Sequence, residues 1–336
     1  MTTVAVLGAG AWGTAMACHL AARVSSKPEV TLWARDRRQA EALSTFRENA
    51  RYLPEVHLPS QLVVTADLAA AARASLLLVA VPMAELPALA HQLLAAGATA
   101  PLVWLAKGFV PAPLLPAGVA LAHQAIASIW PAPVGAASGP SFAEEVARGL
   151  PTALTVAATD PALATEIAAL LRGDSLRAYE STDLAGVEVG GAIKNVLAIA
   201  AGASDGLGFG HNARAALITR GLAETGRLSA AMGGQRESLM GLAGLGDLVL
   251  TCTGNLSRNR RVGLGLAEGK ALPDILAELG HVAEGVPTAR AARALAAHHG
   301  IEMPICEAVD RVLHEQLSPR LAVLELLRRE PRSERN

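Results

Sequence analysis

The sequence is poor in cysteine and in aromatic residues, and neither sign of charge predominates. Its three cysteines, Cys18, Cys252 and Cys306, are scattered and lack Cys-x-x-Cys spacing, which argues against a disulfide framework and against a zinc site. The 29 basic and 30 acidic side chains leave a net charge of −1. No global field therefore favours nucleic acid or an anionic membrane as a partner, and any anion must be bound by local features.

Long hydrophobic runs are also absent. Apolar runs such as Ser75–Val81, which ends at Pro82, have the length of a strand and not of a membrane span. The first residues lack the basic flank and apolar core of a signal peptide. These absences predict a cytoplasmic protein without stable membrane insertion. The 336 residues, rich in alanine and leucine, suffice for two domains with tightly packed helices.

The first half alternates short β-branched runs with alanine-rich stretches, a pattern typical of a parallel sheet with helical crossovers. The predicted strands are Val4–Leu7, Val30–Trp33, Leu62–Thr65, Leu76–Val81, Leu102–Leu105, Val134–Ser138 and Thr152–Ala157. Beyond about Thr182, apolar-periodic segments predict helices. These are Leu184–Ala203, Asn212–Met232, Arg258–Glu268, Leu272–Leu279, Pro287–His299, Ile305–His314 and Ser318–Arg329. We therefore predict an α/β chain, with a doubly wound sheet over residues 1–181, an all-helical domain over 182–330 and a frayed, charged tail at Arg328–Asn336.

The first predicted strand runs directly into Gly8-Ala9-Gly10-Ala11-Trp12-Gly13, a Gly-x-Gly-x-x-Gly motif followed by a helix-forming stretch. In a dinucleotide site, Gly8 forms the tight turn, Gly10 lets the backbone approach a pyrophosphate, and Gly13 allows the helix to pack closely on the sheet. The strand before the motif and the helix after it give the motif its weight. It predicts a Rossmann-type dinucleotide site in preference to a plain strand–helix turn.

The end of the second strand indicates which nucleotide is bound. In this fold an acidic residue there binds the ribose 2′-hydroxyl of NAD, whereas an arginine accommodates the 2′-phosphate of NADP. After Val30–Trp33, the first charged residue is Arg35, and a guanidinium matches a phosphate better than a hydroxyl. This favours NADPH, while the adjacent Asp36 keeps NADH as an alternative. The structural alternative is a basic helical turn exposed to solvent.

Two further polar stretches follow predicted strands, where ligands bind in open parallel sheets. Lys107, just past Leu102–Leu105, is placed to meet an anion or a carbonyl oxygen, unless it is simply a loop lysine. Ser141 follows Val134–Ser138 and fits a helix N-cap, with Glu144 three residues later completing a capping box. Such a helix start also offers free N–H groups to an anion, so the two interpretations coexist.

Lys194 lies in an apolar predicted helix, within Gly190-Gly191-Ala192-Ile193-Lys194-Asn195. Each glycine costs about 1 kcal/mol relative to alanine in a helix, which indicates that something packs very closely. Desolvation lowers the pKa of an embedded lysine toward the range of a general base, unless its head reaches solvent. A second glycine-rich stretch, Gly241–Gly246, precedes Asp247, which is suited to orient a lysine or to hold a substrate hydroxyl.

A candidate phosphate cradle begins at Ser257. This residue resembles an N-cap, and Arg258 and Asn259 occupy the first turn of the helix that follows. A hydroxyl, a guanidinium, an amide and free backbone N–H groups then lie together. Basic residues oppose the helix dipole at that end, so an anion would balance them. We expect Arg260 and Arg261 to be surface charges.

These stretches, in this order, resemble the bacterial NAD(P)-dependent glycerol-3-phosphate dehydrogenase family over nearly the whole chain. The matching segments are Gly8–Ala15, Leu105–Gly108, Ser138–Ala143, Gly149–Thr152, Gly190–Asn195, Asn212–Leu222, Gly241–Thr253 and Ser257–Arg261. The resemblance implies a Rossmann domain, a helical domain and a site between them. It also implies interconversion of sn-glycerol 3-phosphate and dihydroxyacetone phosphate, which supplies phospholipid synthesis.

The resemblance also implies roles for single residues. Lys194 matches the family's proton acceptor. The positions that match substrate-binding residues are Lys107, Gly139, Ser141, Lys194, Asp247, Ser257, Arg258 and Asn259. The positions that match cofactor contacts are Trp12, Arg35, Lys107, Ala143, Arg258, Val282 and Glu284, and the glycine motif adds Gly8, Gly10, Ala11 and Gly13. Ser141 stands where many members carry threonine, and the hydroxyl is kept.

We expect Lys194 to donate a proton to the developing alkoxide during reduction and to take it back during oxidation. Lys107 would stabilise oxyanion charge, Asp247 would hold the lysine, and Arg258 with Asn259 would anchor the phosphate. Two alternatives are a β-hydroxyacid dehydrogenase, which needs a cation for a carboxylate, and a non-catalytic nucleotide sensor, which has no use for such a lysine. No metal is expected, and a homodimer is left open.

Overall fold

The N-terminal half of the chain forms a large mixed sheet. The computed structural model describes residues 2–23 and 28–328, so most of the predicted tail lies outside the described residues, as does Arg329 at the end of the last predicted helix. Twelve strands occur in the described part of the chain. They are β1 (Thr3–Leu7), β2 (Glu29–Trp33), β3 (Glu48–Asn49), β4 (Leu53–His57), β5 (Val63–Thr65), β6 (Leu76–Val79), β7 (Leu102–Trp104), β8 (Val110–Pro111), β9 (Val119–Ala120), β10 (Val134–Ser138), β11 (Thr152–Ala158) and β12 (Leu176–Ser181).

Eight of these strands form one sheet in the order β12-β11-β10-β7-β6-β1-β2-β5. All neighbours are parallel except β10 and β11, so β11 and β12 run opposite to the other six strands. The sheet is therefore mostly parallel, as predicted, and becomes mixed at this end. Strand β12 is also absent from the prediction: it is an edge strand in which buried Leu176 and Ala178 alternate with exposed Arg177 and Tyr179.

The sheet order places a switch point at β1. From β1 the chain proceeds outward to β2 and β5, and then returns to the other side of β1 to form β6 and β7. The carboxyl ends of β1, β6, β7 and β10 therefore share one edge of the sheet. Ligands of open α/β sheets bind in the crevice at this edge.

The glycine turn after β1 has the backbone that the sequence predicts. Gly8 has φ +119°, a conformation that side chains rarely adopt. A Cβ on Gly13 would lie 1.9 Å from the Gly8 carbonyl oxygen, whereas a Cβ on Gly10 would meet no atom within 4 Å. Gly8 and Gly13 are thus required by the turn itself. Gly10 faces open space, where a ligand could approach the protein backbone.

Helices connect the strands of the sheet and then predominate in the second half of the described chain. Those in the first half are α1 (Ala11–Ala21), α2 (Arg37–Phe46), α3 (Leu68–Ala72), α4 (Leu86–Ala95), α5 (Ala122–Ile126), α6 (Ala143–Ala147) and α7 (Pro161–Leu171). The later ones are α8 (Leu184–Gly206), α9 (Gly210–Ala231), α10 (Asp247–Thr253), α11 (Arg258–Ala267), α12 (Leu272–Leu279), α13 (Gly285–His298), α14 (Pro304–His314) and α15 (Pro319–Leu327). The predicted fold class, a Rossmann-type sheet followed by helices, is confirmed.

Helix α8 is the central helix of the second half. It contacts α9, α10, α11 and α13. By length and composition it could cross a bilayer, but 89% of its most apolar window is buried inside the protein. Each fully buried aliphatic side chain, such as Ile193 or Leu197, contributes about 1.5–3 kcal/mol of hydrophobic stabilisation. We interpret α8 as the core helix of the helical region.

The glycine turn yields a stability prediction with a matched control. Gly13→Ala should lower the free energy of unfolding by about 2 kcal/mol or more, because its Cβ would overlap the Gly8 carbonyl. Gly10→Ala should lower it by less than about 1 kcal/mol, since it adds a methyl group to open space. Urea denaturation followed by circular dichroism measures both values. Equal losses in the two variants would contradict this account of the turn.

Candidate active site

Three charged side chains from distant parts of the chain meet at the carboxyl edge of the sheet. Lys107 lies in the loop after β7, Lys194 lies on α8, and Asp247 begins α10. The Nζ atom of Lys194 lies 2.5 Å from Asp247 Oδ1, and the Nζ atom of Lys107 lies 2.6 Å from Asp247 Oδ2. The Asp247 side chain is 1% exposed, against 10% for Lys194 and 13% for Lys107. One buried carboxylate therefore holds two ammonium groups.

The glycine pair on α8 is what allows this approach. A Cβ on Gly190 would lie 2.7 Å from the carbonyl oxygen of Ala243, in the helical turn before α10. A Cβ on Gly191 would lie 2.9 Å from Ser138 Oγ and 3.4 Å from Lys107 Cγ. The prediction that something packs very closely against these glycines is confirmed.

The site perturbs the titration of both Lys194 and Asp247. Burial lowers the pKa of Lys194 to about 7, although Asp247 acts in the opposite direction, and the like charge of Lys107 lowers it further. Burial alone would raise the pKa of Asp247, but the two adjacent ammonium groups hold it below its usual value. A lysine in this state changes protonation near neutral pH while its carboxylate partner stays ionised.

Thr251 follows Asp247 in a polar stretch of the sequence, but the sequence alone assigns it no role in the site. Lys194 Nζ donates a hydrogen bond to Thr251 Oγ1 at 3.0 Å, and this hydroxyl donates to the backbone oxygen of Asp247 at 2.6 Å. Thr251 follows Asp247 by one helical turn, so both side chains lie on the same face of α10. The i, i+4 spacing is the signal that could have identified it.

A chain of amides joins the site to the second half of the molecule. Asn195 Nδ2 donates to the backbone oxygen of Lys107 at 3.3 Å, and Asn259 Nδ2 donates to Asn195 Oδ1 at 2.9 Å. Asn259 Oδ1 in turn accepts from the backbone N–H of Gly285 at 2.9 Å. Asn259 is buried, and its two hydrogen bonds fix α11 against α8 and the start of α13.

The start of α11 agrees with the prediction at Ser257 and differs from it at Arg260. Ser257 is the N-cap, and its Oγ accepts from the Arg260 backbone N–H at 3.2 Å. The Arg260 side chain is not a surface charge: it is 13% exposed, and its guanidinium lies 2.7 Å from Asp205 Oδ2. Asp205 also binds Arg214, at 2.9 Å. Local sequence could not reveal the pairing of Arg260 with Asp205, because the two residues are 55 positions apart. Arg261 is exposed, as expected.

The capping box predicted at Ser141 is wrong. Helix α6 begins at Ala143, after Phe142, and Ser141 Oγ donates to the Gly139 carbonyl oxygen at 2.9 Å instead. The same carbonyl accepts from Lys107 Nζ at 2.8 Å. Gly139, with φ +147°, turns the chain so that its oxygen faces the site. The hydroxyl of Ser141 thus lies beside Lys107 without being needed as a cap.

The crevice beside the glycine turn suits the pyrophosphate of a dinucleotide. Helix α1 begins at Ala11 with no side-chain cap and no acidic residue in its first turn, and Gly10 faces open space. Trp12 Nε1 donates to the Leu105 carbonyl oxygen at 3.2 Å, which ties this turn to the Lys107 loop. Asn49 is buried, and its Nδ2 donates to the Ala9 carbonyl oxygen at 3.0 Å, which fixes the turn.

Three of the other predicted cofactor residues, Arg35, Val282 and Glu284, lie outside the glycine turn. Arg35 follows β2 with 76% of its side chain exposed, 3.1 Å from Glu85. Val282 is half exposed in the segment before α13. Burial raises the pKa of Glu284, while a backbone hydrogen bond from Met83 and the charge of Arg258 act to lower it.

The same segment reaches back to the first half of the chain. The ring of His281 lies 5.3 Å from that of Tyr52, in the connection between β3 and β4. No local sequence pattern indicates this contact.

The arrangement combines an acid–base group with places for two anions. A lysine that titrates near neutrality is held by a buried carboxylate, next to a second ammonium. A capped helix start with Arg258 lies nearby, and an open glycine turn follows β1. Among the described residues, no group of three or more His, Cys, Asp or Glu side chains could hold a metal ion. The three cysteines are free and buried.

Comparison with known proteins finds matches over both halves of the chain. Residues 3–164 match the model of the NAD-dependent glycerol-3-phosphate dehydrogenase N-terminus, and residues 183–324 match that of the C-terminus. A protein of Aromatoleum aromaticum named glycerol-3-phosphate dehydrogenase [NAD(P)+] is 57% identical, covering 98% of this chain and 99% of its own length. One of Thiobacillus denitrificans with the same name is 54% identical, covering 98% of both.

A solved structure of a protein with this name is also similar to the chain. The crystal structure of glycerol-3-phosphate dehydrogenase from Coxiella burnetii superimposes with a TM-score of 0.92 at 41% identity, covering 98% of this chain and 99% of that one. The similarity spans both the sheet and the helices. This chain belongs to the NAD-dependent glycerol-3-phosphate dehydrogenase family.

Proposed function

We propose that the protein interconverts dihydroxyacetone phosphate and sn-glycerol 3-phosphate, with NADPH as the preferred cofactor and NADH as the second. The observation that carries this proposal is the contact of Asp247 with both Lys194 and Lys107 at the carboxyl edge of the sheet. Family membership adds the reaction, since the relatives are named for it. The bound nicotinamide would supply the hydride in reduction and accept it in oxidation.

Lys194 acts as the proton donor and acceptor. As an ammonium it protonates the developing alkoxide of the ketone, and as an amine it takes the proton from the secondary hydroxyl. Asp247 keeps Lys194 in position and compensates its charge, and Thr251 accepts a further hydrogen bond from Lys194. Lys107 adds positive charge where the oxyanion forms, in a site from which water is largely excluded.

The phosphate end of the substrate is held by the start of α11. Its N-terminal N–H groups and the Arg258 guanidinium favour a phosphate over a carboxylate. This supports a phosphorylated triose over the substrate of a β-hydroxyacid dehydrogenase. The proposed substrate-binding residues are Lys107, Gly139, Ser141, Lys194, Asp247, Ser257, Arg258 and Asn259.

The cofactor lies along the glycine turn. Open space at Gly10 and the uncapped start of α1 support a pyrophosphate there, and Arg35 is exposed and free to meet a 2′-phosphate once it leaves Glu85. The proposed cofactor-binding residues are Gly8, Gly10, Ala11, Trp12, Gly13, Arg35, Lys107, Ala143, Arg258, Val282 and Glu284.

The wider setting is also part of the proposal. We divide the chain into a cofactor domain over residues 1–181 and a substrate domain over 182–330. The product would serve phospholipid synthesis, and the protein would act in the cytoplasm without stable membrane insertion. A homodimer is compatible with the proposal but not required by it.

An absorbance assay tests the activity directly. Folded protein should oxidise NADPH when dihydroxyacetone phosphate is added, and should reduce NADP+ with sn-glycerol 3-phosphate. A β-hydroxy acid with NADP+ serves as the competing substrate. Turnover only with the β-hydroxy acid would favour the other dehydrogenase, and binding of NADPH without any turnover would favour a nucleotide sensor.

Lys194→Ala should reduce kcat by about 10²-fold to 10⁴-fold, because the general acid is lost. The dissociation constant of NADPH, measured by fluorescence titration, should change little. Lys270→Ala removes an exposed lysine from the surface and is the matched control. An alanine variant at position 194 that retains substantial turnover would refute the assignment of the proton donor.

The pKa of Lys194 gives a pH dependence with opposite signs in the two directions. Since reduction needs the ammonium, kcat/KM for dihydroxyacetone phosphate should fall about tenfold per pH unit above about 7, whereas that for oxidation should rise toward a plateau. Asp247→Asn removes the charge that raises this pKa and should move both the fall in the reduction rate and the rise in the oxidation rate to lower pH. Lys107→Met removes a like charge and should move them to higher pH.

Steady-state rates between pH 5 and 10 measure both pH dependences, with circular dichroism of each variant as the control for folding. Shifts of the same sign in the Asp247 and Lys107 variants would contradict the electrostatic account.

Arg35→Ala should lower kcat/KM for NADPH by about tenfold or more and leave that for NADH nearly unchanged, because one charge-assisted contact to the 2′-phosphate is lost. Arg38→Ala, in the exposed first turn of α2, is the matched control. The measurement is the ratio of kcat/KM for the two cofactors. If Arg35→Ala leaves that ratio unchanged, the interpretation of the end of β2 is wrong.

A further inference from the structure

A small cavity lies beside Lys107. Its lining includes Lys107, Gly191, Trp104, Ser138 and Glu188. The space open to the centre of a water molecule is about 10 Å³, which is close to the room that one water needs. The cavity thus connects the Lys107 loop with α8 on the face that carries Glu188.

Two buried polar atoms near this cavity lack a partner. Ser138 Oγ and Trp104 Nε1 make no hydrogen bond among the residues that the structure describes, and both residues are almost completely buried. Leaving a buried donor without a partner costs about 1–3 kcal/mol. Such groups are therefore normally satisfied, often by an ordered water. The polar lining and the size of this cavity both indicate that it holds one ordered water molecule.

A carboxylate–imidazole pair leads from the cavity toward solvent. Glu188 is buried, its Oε1 accepts from the His123 backbone N–H at 3.2 Å, and its Oε2 pairs with His123 Nδ1. The imidazole belongs to α5 and is 23% exposed. Burial raises the pKa of Glu188, and the hydrogen bonds and charge of His123 act against this rise. Among the described residues, His123 is the only charged or titratable side chain that pairs with Glu188.

We propose that His123, Glu188 and a water in this cavity form a relay that exchanges protons between solvent and the Lys107–Asp247–Lys194 cluster. The relay rests on the proposed function, because it serves the proton that Lys194 donates. From Lys107 the route continues to Asp247 Oδ2 at 2.6 Å, and from Asp247 Oδ1 to Lys194 Nζ at 2.5 Å.

The proton balance of the reaction explains the need for this route. Each reduction transfers one proton from Lys194 to the alkoxide and leaves a neutral amine. Lys107 then passes one proton to Asp247, which is neutral only transiently and passes this proton to Lys194. One solvent proton that enters at His123 restores the Lys107 ammonium through Glu188 and the water. Nothing in the relay is oxidised or reduced, and oxidation of the alcohol runs the same transfers in reverse. The Lys194 side chain is only 10% exposed before any ligand binds. A substrate bound over it would reduce the direct contact of Lys194 with solvent further.

His123→Ala and Glu188→Gln test the relay. Both should lower kcat for ketone reduction at pH 8 by about tenfold or more, because general acid–base transfer then depends on slow reloading of Lys194. The KM for dihydroxyacetone phosphate and the dissociation constant of NADPH should change less than about twofold, since neither residue is among the proposed ligand contacts. The kinetic effect of D2O on kcat should increase, and added imidazole should restore part of the rate of His123→Ala.

Controls separate a relay from a structural role. His91→Ala removes an exposed histidine of α4 and should behave as wild type. If Glu188→Gln fails to fold, His123→Ala with imidazole decides the question, because a purely structural defect is not rescued by free imidazole. A His123→Ala variant with wild-type kcat and wild-type D2O effect would overturn the relay. A wild type without ketone-dependent NADPH oxidation would instead overturn the proposed function.

Discussion

The ion cluster around Asp247 is the constraint on which the site depends. Moving a carboxylate into the interior costs several kcal/mol, and two ammonium groups at 2.5 and 2.6 Å compensate it here. These three residues come from the loop after β7, from α8 and from the start of α10. Removing either lysine would leave the buried carboxylate less well compensated. The ion pairs therefore hold the loop after β7, α8 and the start of α10 together.

The surrounding backbone is shaped by this requirement. Gly190 and Gly191 remove the side chains that would hold α8 away from Ala243 and Ser138. Asn195, one residue after Lys194, binds the backbone of Lys107 and receives a hydrogen bond from Asn259. The acid–base group and the start of α11 are therefore fixed to the same helix. Precise placement of both is what allows a bound substrate to meet the lysine in a reactive orientation.

Local pattern was sufficient for much of the fold and insufficient for several contacts. Strand and helix positions follow from periodicity. The roles of Gly8 and Gly13 follow from the Gly-x-Gly-x-x-Gly motif, and the close packing at Gly190 and Gly191 follows from the cost of glycine in a helix, because each of these signals is a property of neighbouring residues. The edge strand β12, the pairing of Arg260 with Asp205 and the contact of Tyr52 with His281 depend on residues distant in sequence. Ser141 shows the converse. Its local sequence matches a helix cap, but its hydroxyl donates to the nearby Gly139 carbonyl oxygen instead.

Charge at the site is local, in contrast to the chain as a whole. The net charge of the protein is −1, so long-range attraction would not concentrate an anionic substrate near it. Within the site, however, two lysines share one carboxylate, which leaves one uncompensated positive charge when both lysines are protonated. Burial, together with the like charge of Lys107, lowers the pKa of Lys194, and the positive charge of the two lysines favours the alkoxide that forms in front of it. Burial and the charge of the two lysines thus make Lys194 a ready proton donor and stabilise the anion that accepts its proton.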